Sequence, residues 1–259
     1  MNASTGYLSV PFRTLLWREM LRFLSVPTQT VVTPVISAGL YLVIFGLSLG
    51  DRLPRVNSVP YGVFIVPGLI TMGLLNHAFQ NTASSIMIAK FEGNIVDVLV
   101  APLSYLEIAL GYMLAGVARG FLVGGAIYLV SLPVAGGRVA HPVFALLMAF
   151  LAASTFALFG IIAAVWAERF DGISAFSTYI IVPLTYLGGV FFSIRALPPP
   201  WGSLALGNPL FYMIDGVRFG FLGASDIPPR ASLAIASLAC LFVFAFCVLL
   251  LRSGYKLRK

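Results

Sequence analysis

The side chains able to do covalent or metal chemistry are few in this sequence, and their spacing assembles no reaction centre. His77 and His141 stand at no recognised metal-binding spacing from Cys240 or Cys247. On one helix, at about 1.5 Å rise per residue, Cys240 and Cys247 have Cα atoms about 10 Å apart, beyond the roughly 7 Å a disulfide spans. They read as small apolar packing residues. No Gly-x-Ser-x-Gly elbow and no G-x-x-x-x-G-K-S/T phosphate loop occurs, so neither an acyl-transfer nucleophile nor a P-loop is expected. An enzyme acting on lipid-linked substrate would need acids or histidines gathered at one membrane face. Only the scattered Asp215, Arg218 and Asp226 are available.

What remains is binding chemistry, and residues 86–104, IMIAKFEGNIVDVLVAPLS, concentrate it. They lie between two long apolar runs and are too polar to cross lipid, yet they are patterned for a helix. Phe91, Ile95, Val98 and Leu99 share one arc of a helical wheel. Gly93, Asn94 and Asp97 lie largely opposite, with Glu92 at the edge of the apolar arc. An ordered helix at a membrane boundary is a place for another protein to dock.

The elements that must hold this segment follow from composition. The chain is 59% hydrophobic and 10% charged, with a mean hydropathy of +0.98, against roughly 25% charged residues in soluble domains. A bilayer core about 30 Å thick needs about 20 apolar residues per helix. Six runs qualify: Val31–Leu49, Tyr61–Thr82, Tyr105–Val134, Pro142–Val165, Ile173–Val190 and Ala231–Leu251. Backbone polar groups in lipid must be bonded internally, so these are helices. The expectation is an all-α integral membrane protein forming one transmembrane domain over residues 1–259.

Six spans put both termini on one side. That side collects nine basic residues: Arg13, Arg18, Arg22, Lys90, Arg169, Arg252, Lys256, Arg258 and Lys259. The other side has six: Arg52, Arg55, Arg138, Arg195, Arg218 and Arg230. The bias makes the termini and residues 83–104 and 166–172 cytoplasmic. The net charge of +7 then reflects topology and contact with anionic lipid, not a nucleic-acid partner. No secretory cleavage pattern follows the first apolar run.

Two further segments are not expected to span. Pro11–Ser25 carries Phe12, Leu16, Met20 and Phe23 on one arc, with Thr14, Arg18 and Arg22 opposite. This suits a helix lying in the membrane interface, with Glu19 paired to Arg22 and a break near Pro27 and Pro34. The alternative is a plain cytoplasmic extension of the first span. Residues 191–230 are rich in aromatics, Gly and Pro, and Pro198–Pro200 forbid a continuous helix. Short helices dipping into the outer leaflet would make a lid; an ordinary external loop is the alternative. Arg119 falls near mid-bilayer in the third span, where it reads as a structural residue satisfied by carbonyls or by an acid on another helix, the alternative being a role in transport. Clear acids inside the spans, usual in ion-coupled transporters, are lacking.

Specific stretches carry a family resemblance. AKFEGNIVDVLVAPLS at 89–104 is similar to the family's coupling segment, with Asp97, Leu99, Pro102, Leu103 and Ser104 carrying the likeness. PLTYLGGVFFSIRALPPPW at 183–201 and NPLFYMIDGVRFGFLG at 208–223 resemble P-L-x-F/Y-L-G/S-G-x-F-F…L-P…N-P-x-x-Y…R. With the order of parts, the chain resembles the membrane subunit of an ABC-2-type transporter over nearly its whole length. GVARG at 116–120 and ERFDGIS at 168–174 are similar to a bacterial exporter branch of unsettled substrate. Gly93 and Asn94 depart from the charge many relatives place there.

The resemblance implies a permease in a bacterial inner membrane, paired with a second copy and driven by two separate ATPase subunits. Those partners would use ATP and Mg; this chain would bind no cofactor or metal. Its coupling residues would be Lys90, Phe91, Glu92, Asn94, Ile95, Asp97, Leu99, Pro102 and Ser104, with Glu168, Arg169 and Asp171. The path would be bordered by the first, second and fifth spans, making Asn76, Gln80, Thr178, Thr185 and Tyr186 candidates. Polar groups in lipid equally serve to bond helices together, at about 0.6 kcal/mol each. The lid would contain Phe191, Phe192, Asn208, Pro209, Tyr212, Asp215 and Arg218. Rival readings are an ATP-independent channel or a secondary transporter.

Overall fold

The computed structural model describes residues 10–48, 55–56 and 59–256. Leu49, Arg52, Arg258 and Lys259, invoked above for the first span and the charge bias, lie outside the described residues. In chain order the main helices are α1 (Val10–Leu24), α2 (Thr28–Gly46), α3 (Tyr61–Phe91), α4 (Ile95–Val100) and α5 (Tyr105–Ala135). They continue as α6 (Pro142–Trp166), α7 (Phe170–Leu187), α8 (Trp201–Leu206), α9 (Pro209–Leu222) and α10 (Pro229–Ser253). Six of them, α2, α3, α5, α6, α7 and α10, are long and apolar enough to cross a membrane. No strand occurs among the described residues, where Val56 and Val59 form an isolated bridge. The protein is all-α, with six candidate spans.

Helices in lipid gain little from burying apolar surface against each other, so close packing through small residues decides which ones associate. Gly116 and Gly120, one turn apart on α5, lie against the α3 backbone. A Cβ on Gly120 would meet the Leu74 carbonyl at 2.9 Å, and one on Gly116 the Ala78 carbonyl at 3.0 Å. On α6, a Cβ on Gly160 would collide with Thr82 Oγ1 and the Phe79 carbonyl of α3. That close approach lets the Thr82 hydroxyl donate to the Ala157 carbonyl at 2.6 Å. Accordingly, in an apolar 18-residue stretch of each helix, the buried share of residues is 72%, 50% and 61% for α3, α5 and α6, but only 22%, 11% and 17% for α2, α7 and α10. Three helices form the trunk and three flank it.

Both α2 and α7 contain a proline, and each is accommodated by a widened turn. The Thr33 N–H reaches back five residues to Thr28 just before Pro34, and Val182 to Ser177 just before Pro183. A proline has no N–H and its ring crowds the carbonyl four residues earlier, and a π-turn relieves both. The break expected near Pro27 and Pro34 therefore falls at residues 25–27, and Pro34 sits inside the span.

Helix α1 packs on α5 by Phe12, Leu15, Glu19 and Phe23. The buried face is rotated from the expected arc, with Leu15 and Glu19 inside where Leu16 and Met20 were placed. Gly111 of α5 admits Leu15 directly. Glu19, 1% exposed, accepts from Arg22 at 3.1 Å and Arg18 at 3.2 Å. Arg22 in turn donates to the Asn81 carbonyl at 2.7 Å and to Ser84 at 3.3 Å on α3. Burial is thus organised around an ion pair as much as around apolar contacts.

At 31 residues each, α3 and α5 are about 46 Å long by their rise and outrun a bilayer core of about 30 Å. The span expected at 61–82 continues to Phe91, so residues 86–91 are not part of the short helix foreseen for 86–104. Gly93, at φ +79°, ends α3 in the left-handed conformation that glycine adopts at little cost. A new helix, α4, then starts at Ile95.

This packing makes Gly160 a stringent position. Gly160→Ala forces a Cβ into Thr82 and the α3 backbone, and an overpacking cost of about 1–3 kcal/mol is expected. Gly125→Ala, with open space around its Cβ, should be neutral or mildly stabilising. Thermal unfolding of the two variants in detergent separates these outcomes, and equal midpoints would contradict the trunk.

Candidate functional site

Three regions hold the candidate site residues. The first is the end of the bundle formed by α4, residues 167–171 and the tail after α10. Val98 is buried, and Ile95 and Leu99 pack partly against the trunk core. The opposite side of α4 leaves Val96, Asp97 and Val100 exposed. Phe91, expected to face inward with Ile95, is 82% exposed because the Gly93 break takes it out of register. Its ring meets Phe170 at 6.2 Å between centroids. Glu92, Asn94, Pro102, Glu168, Arg169 and Asp171 are all exposed nearby.

Lys90 and Ser104 have structural work at this end. The Lys90 ammonium donates to the carbonyls of Ala164, Val165 and Ala167 at 3.0, 3.2 and 2.7 Å. A cation there satisfies carbonyls that the helix terminus leaves open and complements its negative end. Ser104 caps α5: its hydroxyl accepts from the Glu107 N–H, and the Glu107 carboxylate accepts from the Ser104 N–H at 2.8 Å. Lys256 pairs with Glu168 at 3.0 Å, and that hydrogen bond holds its ammonium above the ordinary lysine range. Met87, Lys90, Phe91, residues 168–171 and Lys256 border a groove of 620 Å³.

The second region is a polar track between α2, α3, α5 and α7. One cavity of 350 Å³ is lined by Gln29, Thr33, Ser37 and Tyr41 of α2, Asn76, His77 and Gln80 of α3, and Arg119 of α5. Another, of 410 Å³, shares Gln29, Gln80 and Arg119 and extends along Ser174, Ser177 and Thr178 of α7. Asn76, Gln80 and Thr178 therefore lie on the track. Thr185 does not: it is buried and donates to the Ile181 carbonyl at 2.7 Å. Tyr186 sits farther along, stacked on Phe191 at 5.8 Å, and Phe191 also packs against Tyr41 and Phe45 at 5.6 and 5.5 Å. This aromatic group stands where the track ends away from α4.

The third region is the stretch from 188 to 228, stitched by two carboxylates. Asp226 accepts from Ser193 Oγ at 2.7 Å and the Ile194 N–H at 2.9 Å, and pairs with Arg195 at 3.8 Å. Asp215, fully buried, accepts from the N–H groups of Asp226 and Ile227 at 2.9 and 3.2 Å. Arg218 lies 3.9 Å from Asp215, donates to the Gly189 carbonyl, and sits 4.1 Å above the Phe64 ring of α3. Asn208 caps α9 by accepting from the Leu210 N–H at 3.0 Å, Pro209 takes the first helical position, and the Asn208 amide reaches the Leu184 carbonyl at 2.7 Å. Tyr212 donates to the Leu206 carbonyl at 2.9 Å. Phe192 is half-buried in the turn before Ser193.

Two of these features have a signature in the sequence. Gln29, Thr33, Ser37 and Tyr41 recur every four residues, a polar stripe along the first span. Ser104-x-x-Glu107 is a capping-box signature. Nothing in the sequence signals that Arg22 turns inward to Asn81. Among the described residues no cluster of metal-binding side chains forms.

Residues 11–222 match the family model described as ABC-2 type transporter. The chain is 41% identical over 249 residues to "Inner membrane transport permease YadH" of Escherichia coli (strain K12), covering 96% of this chain and 97% of that protein. It is 24% identical over 198 residues to "Nodulation protein J" of Sinorhizobium fredii (strain NBRC 101917 / NGR234), covering 76% and 74%. The same-named protein of Rhizobium leguminosarum bv. viciae is 23% identical over 224 residues, covering 84% and 86%.

Lys90 offers a direct test of the α4 end. Lys90→Met withdraws the ammonium from three carbonyls and should cost about 1.5–3 kcal/mol, the range for hydrogen bonds to a charged group. Lys90→Arg should recover part of it. Unfolding midpoints of the purified chain give the answer, and no loss in Lys90→Met would contradict the capping role.

Proposed function

The chain belongs to the ABC-2 type transporter family of membrane proteins, and on that premise we propose how its geometry serves ATP-driven export. It is a permease subunit of an ABC transporter, a family whose membrane subunits partner ABC ATPase chains. In the proposed reading the α4 end faces the cytoplasm with both termini, in a bacterial inner membrane. Two copies form the path, two ATPase subunits bind below, and they alone use ATP and Mg.

The observation that supports this best is the build of α4. It is pinned to the trunk by Val98 while Val96 and Val100 remain exposed beside Glu92 and Asp97. A surface mixing apolar and charged groups suits a protein partner. Helices α3 and α5 run into α4 from either side, overhang the bilayer, and also border the polar track. A push on α4 is thereby delivered to two walls of the path. Lys90, spanning from α3 to the end of α6, carries the same push into the trunk.

The remaining parts fit the same scheme. Helix α1, with Trp17 64% exposed and Arg13 exposed, lies in the cytoplasmic interface, where Trp anchors and Arg meets lipid phosphate. Helices α8 and α9 form a re-entrant lid at the far end. Irregular backbone at that depth needs internal partners, and the carboxylate stitches of Asp215 and Asp226 provide them.

Two measurements test the reading. Charge reversal of Glu92 and Asp97 to Lys should uncouple ATP hydrolysis by the co-purified ATPase from substrate transport, lowering the coupled rate at least about tenfold. Unchanged association together with unchanged transport would sink the docking role, and flux through liposomes holding this chain alone would favour a channel. For the lid, cysteines placed through 191–222 should be labelled by a water-soluble reagent only in part. Free access at every position would exclude re-entry.

A further inference from the structure

Two arginines are buried among the described residues, and one of them is balanced: Arg218 has Asp215, as the half-buried Arg22 has Glu19. Arg119, 7% exposed and near the middle of α5, pairs with no carboxylate and makes no hydrogen bond among the described residues; its Nε is buried without a partner. The expected acid or carbonyl is not supplied. A cation held at this depth is costly unless something compensates it. Its surroundings are built to hydrogen-bond: both cavities of the track meet at Arg119, and Gln29 and Gln80 line both of them beside it.

We propose that Arg119, with Gln29 and Gln80, forms an oxyanion-binding station on the path, so that the transported molecule carries a phosphate or carboxylate group. The planar guanidinium presents paired N–H donors that match two oxygens of such a group. The glutamine amides supply further donors. Both cavities continue from the station, so the rest of an elongated amphipath has room on either side: towards Ser174 and Thr178 in one direction and towards Tyr41 in the other. The inference rests on the permease reading for calling the cavity a path, but its test does not need the ATPase.

The purified full-length chain in non-ionic detergent is titrated with short-chain phosphatidylglycerol, short-chain phosphatidylcholine, and inorganic phosphate at constant ionic strength. Affinity is read from the shift in unfolding midpoint. The wild type should bind phosphatidylglycerol or phosphate, and Arg119→Gln should weaken that at least about tenfold. Arg119→Lys should fall between, and Arg252→Gln, an exposed control, should leave affinity unchanged. Preference for phosphatidylglycerol over free phosphate supports a lipid-borne headgroup; the reverse supports a soluble anion at the same station. Should Arg119→Gln fail to fold, Gln80→Leu should weaken binding about threefold and keep the preference for anion over phosphatidylcholine. Equal affinity in wild type and Arg119→Gln, or no anion binding by the wild type, overturns the proposal. Anion binding by the wild type together with no ATP-driven transport when it is reconstituted with its co-purified ATPase would overturn the export reading and leave the station standing.

Discussion

The architecture depends on the approach of three backbones. Lipid offers α3, α5 and α6 no hydrophobic reason to associate, so contact distance must supply the attraction. Gly116, Gly120 and Gly160 bring α5 and α6 so near α3 that carbonyls and hydroxyls replace side chains at the contact. One consequence reaches the polar track. Arg119 immediately precedes Gly120, so the glycine that locks α5 onto α3 also fixes where the guanidinium stands relative to Gln80. The trunk and the track are set by the same contact.

Charge in this chain follows a second rule: it is spent on joints. Glu19 and Arg22 bind α1 to α3, Lys90 binds the end of α3 to the end of α6, and Lys256 binds the tail to residue 168. Asp215 and Asp226 bind the turn at 188–195 to the loop after α9. The joints made by Lys90 and Lys256 sit at helix ends, where backbone groups want partners. Among the described residues Arg119 is the buried charge outside this rule, lying mid-helix and unbalanced, which is why its surroundings carry functional meaning.

Much of the architecture was readable because bilayer physics is one-dimensional. The apolar length of each run fixes whether it spans, and the six spans and the two non-spanning stretches around α4 and α9 follow from that. Registers across helices were not readable. Whether Leu15 or Leu16 faces α5 depends on Gly111, ninety-six residues from Leu15. Likewise the left-handed Gly93 takes Phe91 off the arc it would share with Ile95 in a continuous helix. The track was half legible: Asn76 and Gln80 stand four residues apart on one face of the second span. The four-residue stripe from Gln29 to Tyr41 gained its meaning only once a facing helix was in place.

The uneven packing of the six spans bears on how the path would be completed. Helices α2 and α7 border the track, yet they are among the least buried, and each is widened by a π-turn next to a proline. A wall that makes few contacts within its own chain is cheap to displace and needs a neighbour to finish it. The trunk of α3, α5 and α6 has the opposite character, since its backbones approach so closely at Gly120 and Gly160 that no Cβ fits between them. Motion proposed to begin at α4 therefore has a rigid element to travel through and a compliant one to act upon. In the proposed pair of permeases, that compliant side, with Arg119 just behind it, is the side a second copy would complete.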